Sequence, residues 1–262
     1  MRIAYLLIFQ LLLLAASPAQ EPSTVSRAEQ KLKAWRDSRA SALMDDFGEL
    51  SRYRKSNALL GTPAAGEDRV VFLGDSITDG WDLKKYFPQK AYVNRGISGQ
   101  TTSQMLLRFG QDVVSLKPRA VVILAGTNDI AGNTGPMSLQ EIENNFASMA
   151  EIASANHIRV ILSSVLPVHN YTSAAEDYYA LRPMEQILAL NRWLKAYCEA
   201  RGHIYLDYFA PMLDQSGLLK RELADDGLHP NPAGYTVMVP LADAAITKAL
   251  QKESTEKAKP GN

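Results

Sequence analysis

Short runs rich in Val, Ile and Leu alternate with longer stretches of helical periodicity along most of this chain, and that alternation limits its fold more than any other feature. The apolar runs are residues 69–73, 91–93, 120–125, 159–166 and 203–206. Residues 101–116, 138–156 and 184–200 lie between them with apolar side chains at spacings of three and four, and a last helical pattern spans 232–251. Runs this short, apolar without polar alternation, suit strands buried on both faces, as in a parallel sheet covered by helices. The expectation is an α/β fold: a doubly wound, three-layer α/β/α sandwich on a five-stranded parallel sheet. Ligands in such folds bind beyond the carboxyl ends of the strands, so the segments that follow the strands carry the functional reading.

The chain has 262 residues, enough for one large domain that buries most of its unfolded surface without disulfide or metal. Met1 and Arg2 precede an apolar run over 3–16 broken only by Gln10, and Ser17-Pro18-Ala19 follows. The run is shorter than the roughly 20 residues of a membrane span and fits a signal-peptide core. Residues 1–19 therefore read as a cleaved leader, and the mature protein as secreted or periplasmic with no stable membrane anchor. No cysteine stands at the cleavage site, as a lipoprotein would need. Residues 20–66 form an extension: a polar spacer over 20–29, then a mostly helical stretch over 31–60 with Trp35, Leu43, Met44, Phe47 and Leu50 among charges, ended by the Gly61–Gly66 break. The main domain is 67–251, and the Glu/Lys-rich segment 252–262 reads as a disordered tail.

Lys plus Arg equals Asp plus Glu, 28 each, so no long-range positive field exists to gather nucleic acid. The single cysteine, Cys198, cannot form an internal disulfide and sits within a helical pattern as a small buried hydrophobe. No His/Cys/carboxylate group has zinc-site spacing, and neither a metal nor a cofactor is expected.

Four polar segments fall at the expected ligand edge: 74–81 (GDSITDGW), 94–101 (NRGISGQT), 125–129 (AGTND) and 225–231 (DDGLHPN). Ser76 stands on a turn entering a helix, where backbone N–H groups favour developing negative charge. A serine hydroxyl needs a base, and the four histidines can be compared. His157 lies at a helix end as a cap, and His203 enters a strand at the far end of the sheet. His169 could face the cleft. His229 lies at the ligand edge with Asp226 three residues before it, a spacing that lets the carboxylate orient the imidazole. The expected catalytic residues are thus Ser76, Asp226 and His229. Acyl transfer also needs donors for an oxyanion, and the N–H of Ser76, the N–H of Gly99 and the side-chain amide of Asn128 can supply them.

These blocks together resemble the SGNH hydrolase family, also called GDSL-type lipases or acylhydrolases. Gly74-Asp75-Ser76-Ile77 resembles the first block, Gly99 falls in the second, Gly126-Thr127-Asn128-Asp129 resembles the third and Asp226-Gly227-Leu228-His229 the last. The likeness covers roughly 70–250, with Ile77 in place of the usual Leu. It implies a flavodoxin-like sandwich and metal-free hydrolysis of esters. Other readings of the motifs fail on particular residues. The Gly96–Thr101 segment lacks the Lys of a phosphate-binding loop, and Thr78 breaks the Gly-x-Ser-x-Gly of an α/β-hydrolase elbow. A non-catalytic binding module on the same fold stays open as the rival from another class.

The segment 168–185 follows the fourth strand, and its His169, Tyr171, Tyr178 and Tyr179 are the expected substrate contacts. Flat, hydroxyl-bearing side chains suit sugars. The expected substrate is a short-acyl ester such as an O-acetylated carbohydrate; the alternative is a lysophospholipase or thioesterase type.

Overall fold

The computed structural model of the protein describes residues 23–256. The leader expected at 1–19 and the tail beyond 256 lie outside the described residues. In chain order the elements are α1 (Thr24–Asp45), α2 (Arg54–Leu60), β1 (Val70–Gly74), α3 (Ser76–Asp79), α4 (Leu83–Tyr86), β2 (Tyr92–Gly96), α5 (Thr102–Asp112), β3 (Ala120–Leu124), α6 (Thr127–Ile130), α7 (Leu139–Ala155), β4 (Arg159–Ser163), α8 (Ser173–Ala180), α9 (Met184–Arg201), β5 (Ile204–Leu206), α10 (Phe209–Met212) and α11 (Pro232–Glu256). Among the described residues no helix is long and apolar enough to cross a membrane.

The strands pair in the order β2-β1-β3-β4-β5, every pair parallel. Successive residues of β1 feed opposite layers, which explains why the run has no polar positions. Val71 and Leu73 pack with Met105 and Phe109 of α5, Phe146 of α7 and Leu190 of α9. Val70 and Phe72 pack on the other side with Trp81, Phe87 and, from α11, Met238 and Ile246. The three-layer sandwich on a five-stranded parallel sheet, with an N-terminal helix, is as the alternation of runs predicts. Capping boxes open α5 (Thr101 with Gln104) and α7 (Ser138 with Glu141), satisfying amides that the first helical turn leaves without partners.

Several boundaries differ from the sequence reading. β4 stops at Ser163 instead of continuing to 166, because Asn191 of α9 takes over the backbone of Val165: its Oδ1 accepts from Val165 N at 2.7 Å and its Nδ2 donates to Val165 O at 3.0 Å. The 31–60 helical stretch is two helices. Asp46 ends the first by accepting from the amides of Leu50 and Ser51 at 2.8 and 2.9 Å. α1 begins at Thr24, within the expected spacer, on a Ser23 cap that accepts from Ser26 N at 3.2 Å. α11 extends to Glu256, past the expected start of the tail at 252. The 168–185 segment contains a helix, α8.

β1 has β2 on one side and β3 on the other, so the chain changes direction across the sheet at the β1/β3 boundary. Crevices in doubly wound sheets open at such a point. Ser76 follows β1 there and Asn128 follows β3.

Candidate active site

Sterics place Ser76 at the head of α3. A Cβ on Gly74 would come within 2.7 Å of the Leu124 carbonyl oxygen in β3 and within 2.1 Å of Thr78 Oγ1, so only glycine lets the strand end pack this tightly against its neighbour and the following turn. Asp75 then caps α3, its Oδ1 accepting from Ile77 N at 3.0 Å. Asp75 is fully buried, and burial pushes its carboxyl up to about 6 despite that hydrogen bond and the nearby positive groups.

Asp226 and His229 share one tight turn. Asp226 Oδ1 accepts from the amides of Leu228 and His229 at 3.0 and 2.8 Å, and Oδ2 lies 2.6 Å from His229 Nδ1. Burial works to raise the Asp226 carboxyl, but the hydrogen bonds from the His229 ring and the two amides outweigh it and hold it at about 2. An ionised carboxylate can only accept, so it selects the ring form with the proton on Nδ1. That leaves Nε2 as an acceptor, and it lies 2.9 Å from Ser76 Oγ. Residues 153 positions apart in sequence thus form one hydroxyl–imidazole–carboxylate row. Tyr178 of α8 meets the His229 ring edge-on, centroids 5.7 Å apart.

Across from the row, Asn128 is 3 % exposed at the start of α6. Its Nδ2 donates to the Gln100 carbonyl at 3.1 Å, and its Oδ1 accepts from Arg182 Nη2 at 3.2 Å. Gly99 has φ +83°, a backbone conformation natural to glycine, and its carbonyl accepts from Asn133 Nδ2 at 3.0 Å. Ser76, Gly99, Asn128, Asp226 and His229 all line one cleft of ≈ 780 Å³. Asp129 faces away from it: Oδ1 accepts from the Thr102 amide at 2.9 Å and from the Thr102 hydroxyl, tying β3's exit to α5.

Of the expected substrate contacts, Tyr178 lines the cleft and His169, Tyr171 and Tyr179 do not. His169 is fully buried. Its Nδ1 accepts from Tyr171 N at 3.2 Å and its Nε2 donates to the Ala224 carbonyl at 2.9 Å, so both ring nitrogens are engaged in holding loops together. The Tyr171 hydroxyl bonds Asp214, and Tyr179 packs against the core. His157, at φ +60°, ends α7, and His203 precedes β5; both stand at the amino end of the sheet.

The sequence reading missed two contributors. Ala28, Leu32, Trp35 and Arg39 of α1 form one wall of the cleft. Their spacing of four, three and four marks one helix face, but nothing in the sequence says which surface that face covers. Ion pairs hold α1 against α8: Arg27 with Glu176 at 2.9 Å and with Asp177 at 3.0 Å, and Lys31 with Asp177. Arg182, which closes the 168–185 segment, reaches the cleft beside Asn128.

A parallel α/β sandwich with a hydroxyl, an imidazole and a carboxylate in a row at its carboxyl edge has the build of an ester-hydrolysing enzyme. The chain belongs to the GDSL-like lipase/acylhydrolase family, whose model matches residues 72–237. A crystal structure of a GDSL-like lipase from Bacteroides thetaiotaomicron is 42 % identical, covers 78 % of this chain and 100 % of its own, and superposes with a TM-score of 0.72. The uncharacterised lipoprotein YqeF of Bacillus subtilis is 33 % identical over 177 residues, 59 % of this chain and 73 % of that protein. An acetylxylan esterase of Geobacillus stearothermophilus is 24 % identical over 201 residues, 65 % of this chain and 90 % of its own.

Proposed function

We propose that the protein is a secreted or periplasmic serine esterase that removes short acyl groups, such as acetyl, from carbohydrate. The observation that carries the catalytic part is the row from Asp226 through His229 to Ser76, with spacings of 2.6 and 2.9 Å. In this reading His229 Nε2 takes the Ser76 proton as Oγ adds to the ester carbonyl carbon. The carbonyl oxygen becomes an oxyanion held by the N–H of Ser76, the N–H of Gly99 and the free N–H of Asn128 Nδ2. Collapse breaks the ester C–O bond, and His229 returns its proton to the leaving alcohol oxygen. Water, deprotonated by the same imidazole, then releases the acyl group from Ser76 as a carboxylate. No step calls for a metal or cofactor.

Support for the substrate is chemical. The cleft carries Ser98, Asn133, Ser173 and Tyr178 alongside the row, groups that hydrogen-bond or stack on sugars, beside an apolar side made by Leu32, Trp35, Leu181 and Leu228. One relative is an acetylxylan esterase. The leader-like start of the sequence supports export. A panel of nitrophenyl esters from acetyl to dodecanoyl tests the acyl preference, with acetylated xylo-oligosaccharide beside it. Acetyl and butyryl esters are expected to turn over faster than decanoyl, and the acetylated sugar to lose acetate. A steady climb of kcat/KM to dodecanoyl would replace this reading with a lysophospholipase or thioesterase one. No turnover and no acyl-enzyme on any ester would make the chain a binding module.

A further inference from the structure

The insertion between β4 and α9 delivers a guanidinium to the floor of the cleft. Arg182 is 3 % exposed. Its Nε donates to Thr127 Oγ1 at 2.9 Å, Nη1 to the Tyr178 carbonyl at 3.2 Å and Nη2 to Asn128 Oδ1 at 3.2 Å. Every partner is neutral. Among the described residues no carboxylate lies within ion-pair distance of it, and Asp75 and Asp226 act on it only through space. The contrast with Arg108 is sharp: that side chain is also fully buried but is paired with Asp112 at 3.1 Å, as a structural arginine should be. Burying an arginine without a counter-ion costs stability, so its place beside the reacting groups points to a functional reason.

The reason lies in the Asn128 amide. The two ends of a carboxamide have nearly the same shape, and only hydrogen bonds decide which way it faces. The Gln100 carbonyl can only accept, so it selects Nδ2. Arg182 can only donate, and although burial lowers its guanidinium to about 10 it is charged at neutral pH, so it selects Oδ1. Both partners fix the same orientation, with one N–H of Nδ2 used on Gln100 and the other left for a ligand. The same guanidinium puts a positive charge, without a bonded counter-ion, next to the place where negative charge would develop. Its fork also lies 5.5 Å from the Tyr178 ring centroid, and that ring meets His229.

We propose that Arg182 is a positioning residue of the oxyanion site: it locks Asn128 in its donating orientation. This rests on Asn128 serving as an oxyanion donor, so the experiment measures both. Asn128→Ala, Arg182→Met, Arg182→Lys and Asn128→Ala/Arg182→Met are compared with the parent on nitrophenyl acetate. Arg182→Met is expected to lower kcat about 10- to 100-fold with KM changed less than about twofold, since the contact matters in the transition state. In the Asn128→Ala background the same change is expected to cost no more than about threefold, because the group it positions is gone. Millimolar guanidinium is expected to restore part of the activity of Arg182→Met and none of that of the double variant. Equal losses in the two backgrounds, a loss confined to KM, or guanidinium rescue of the double variant would overturn the proposal. If Asn128→Ala itself leaves kcat intact, the oxyanion reading fails instead. Should Arg182→Met not fold, Arg182→Lys carries the same cycle: it keeps the charge but not the fork, and is expected to fall between Met and the parent.

Discussion

Trp35 of the N-terminal helix lies against Gly99 so closely that a Cβ at residue 99 would sit 2.8 Å from Trp35 Cζ2. The indole therefore bounds the cleft next to a proposed oxyanion donor. In the proposed reaction the alcohol side of the ester faces His229 and the acyl side turns away from it, with the Trp35 wall as its expected neighbour. Trp35→Ala is expected to shift the acyl optimum from acetyl toward hexanoyl or octanoyl, each methylene newly accommodated gaining up to about 0.8 kcal/mol. The ratio of kcat/KM for octanoyl and acetyl esters is the readout. An unchanged ratio with both rates lowered would make Trp35 a packing residue only.

Asp226 keeps its charge far below neutrality, since its hydrogen bonds hold it at about 2. A group lowered from 3.8 keeps its contribution above that value and loses it only as pH falls through about 2. The carboxylate therefore orients His229 throughout the working pH range. Asp226→Asn, which offers the ring the wrong partner, is expected to lower kcat about 10³- to 10⁴-fold. The deficit should be similar at pH 6 and pH 9. A deficit that vanishes at either end would show that the carboxylate acts by titrating.

Asp75 runs the other way. Its carboxyl is raised to about 6 by burial, so the folded state binds its proton more tightly than the unfolded state does. The stability this represents is complete below about 3.8 and is lost as pH rises through about 6. Asp75→Asn keeps an oxygen to cap Ile77 without the buried charge. It is expected to exceed the parent in stability by at most about 3 kcal/mol at pH 7, the difference shrinking toward zero by pH 4. Urea unfolding of both proteins across that range checks it, and a constant difference would contradict the burial argument.

The fold was largely legible in the sequence because each strand is buried on both faces, and such runs need no partner information to be recognised. That Ser76, Gly99, Asn128, Asp226 and His229 meet in one cleft was legible because the segments carrying them fall at the carboxyl edge of a parallel sheet, where strand ends converge. What escaped was set by contacts distant in sequence. Nothing local says that the Ala28–Leu32–Trp35 face covers the cleft, or that His169 turns inward to bond the Ala224 carbonyl. Tyr171 and Tyr179 look alike in sequence to Tyr178, yet only Tyr178 lines the cleft. Arg182 was hidden for a related reason: a charged residue between a helix and a proline reads as solvent-facing until the fold buries it.

The proposed reaction rests on Ser76 as the nucleophile, activated by His229 across 2.9 Å. Its most direct test is intact-mass analysis after reaction with a fluorophosphonate, with peptide mapping of the adduct, on the parent, Ser76→Ala and His229→Ala. One adduct on Ser76 is expected in the parent, none in Ser76→Ala and a rate reduced by orders of magnitude in His229→Ala. Ester turnover should fall about 10⁴-fold or more in each variant, and little further in the double variant, as for groups that act as a unit. A folded Ser76→Ala protein that still hydrolyses esters at a substantial rate, or an adduct mapped to another residue, would contradict the account.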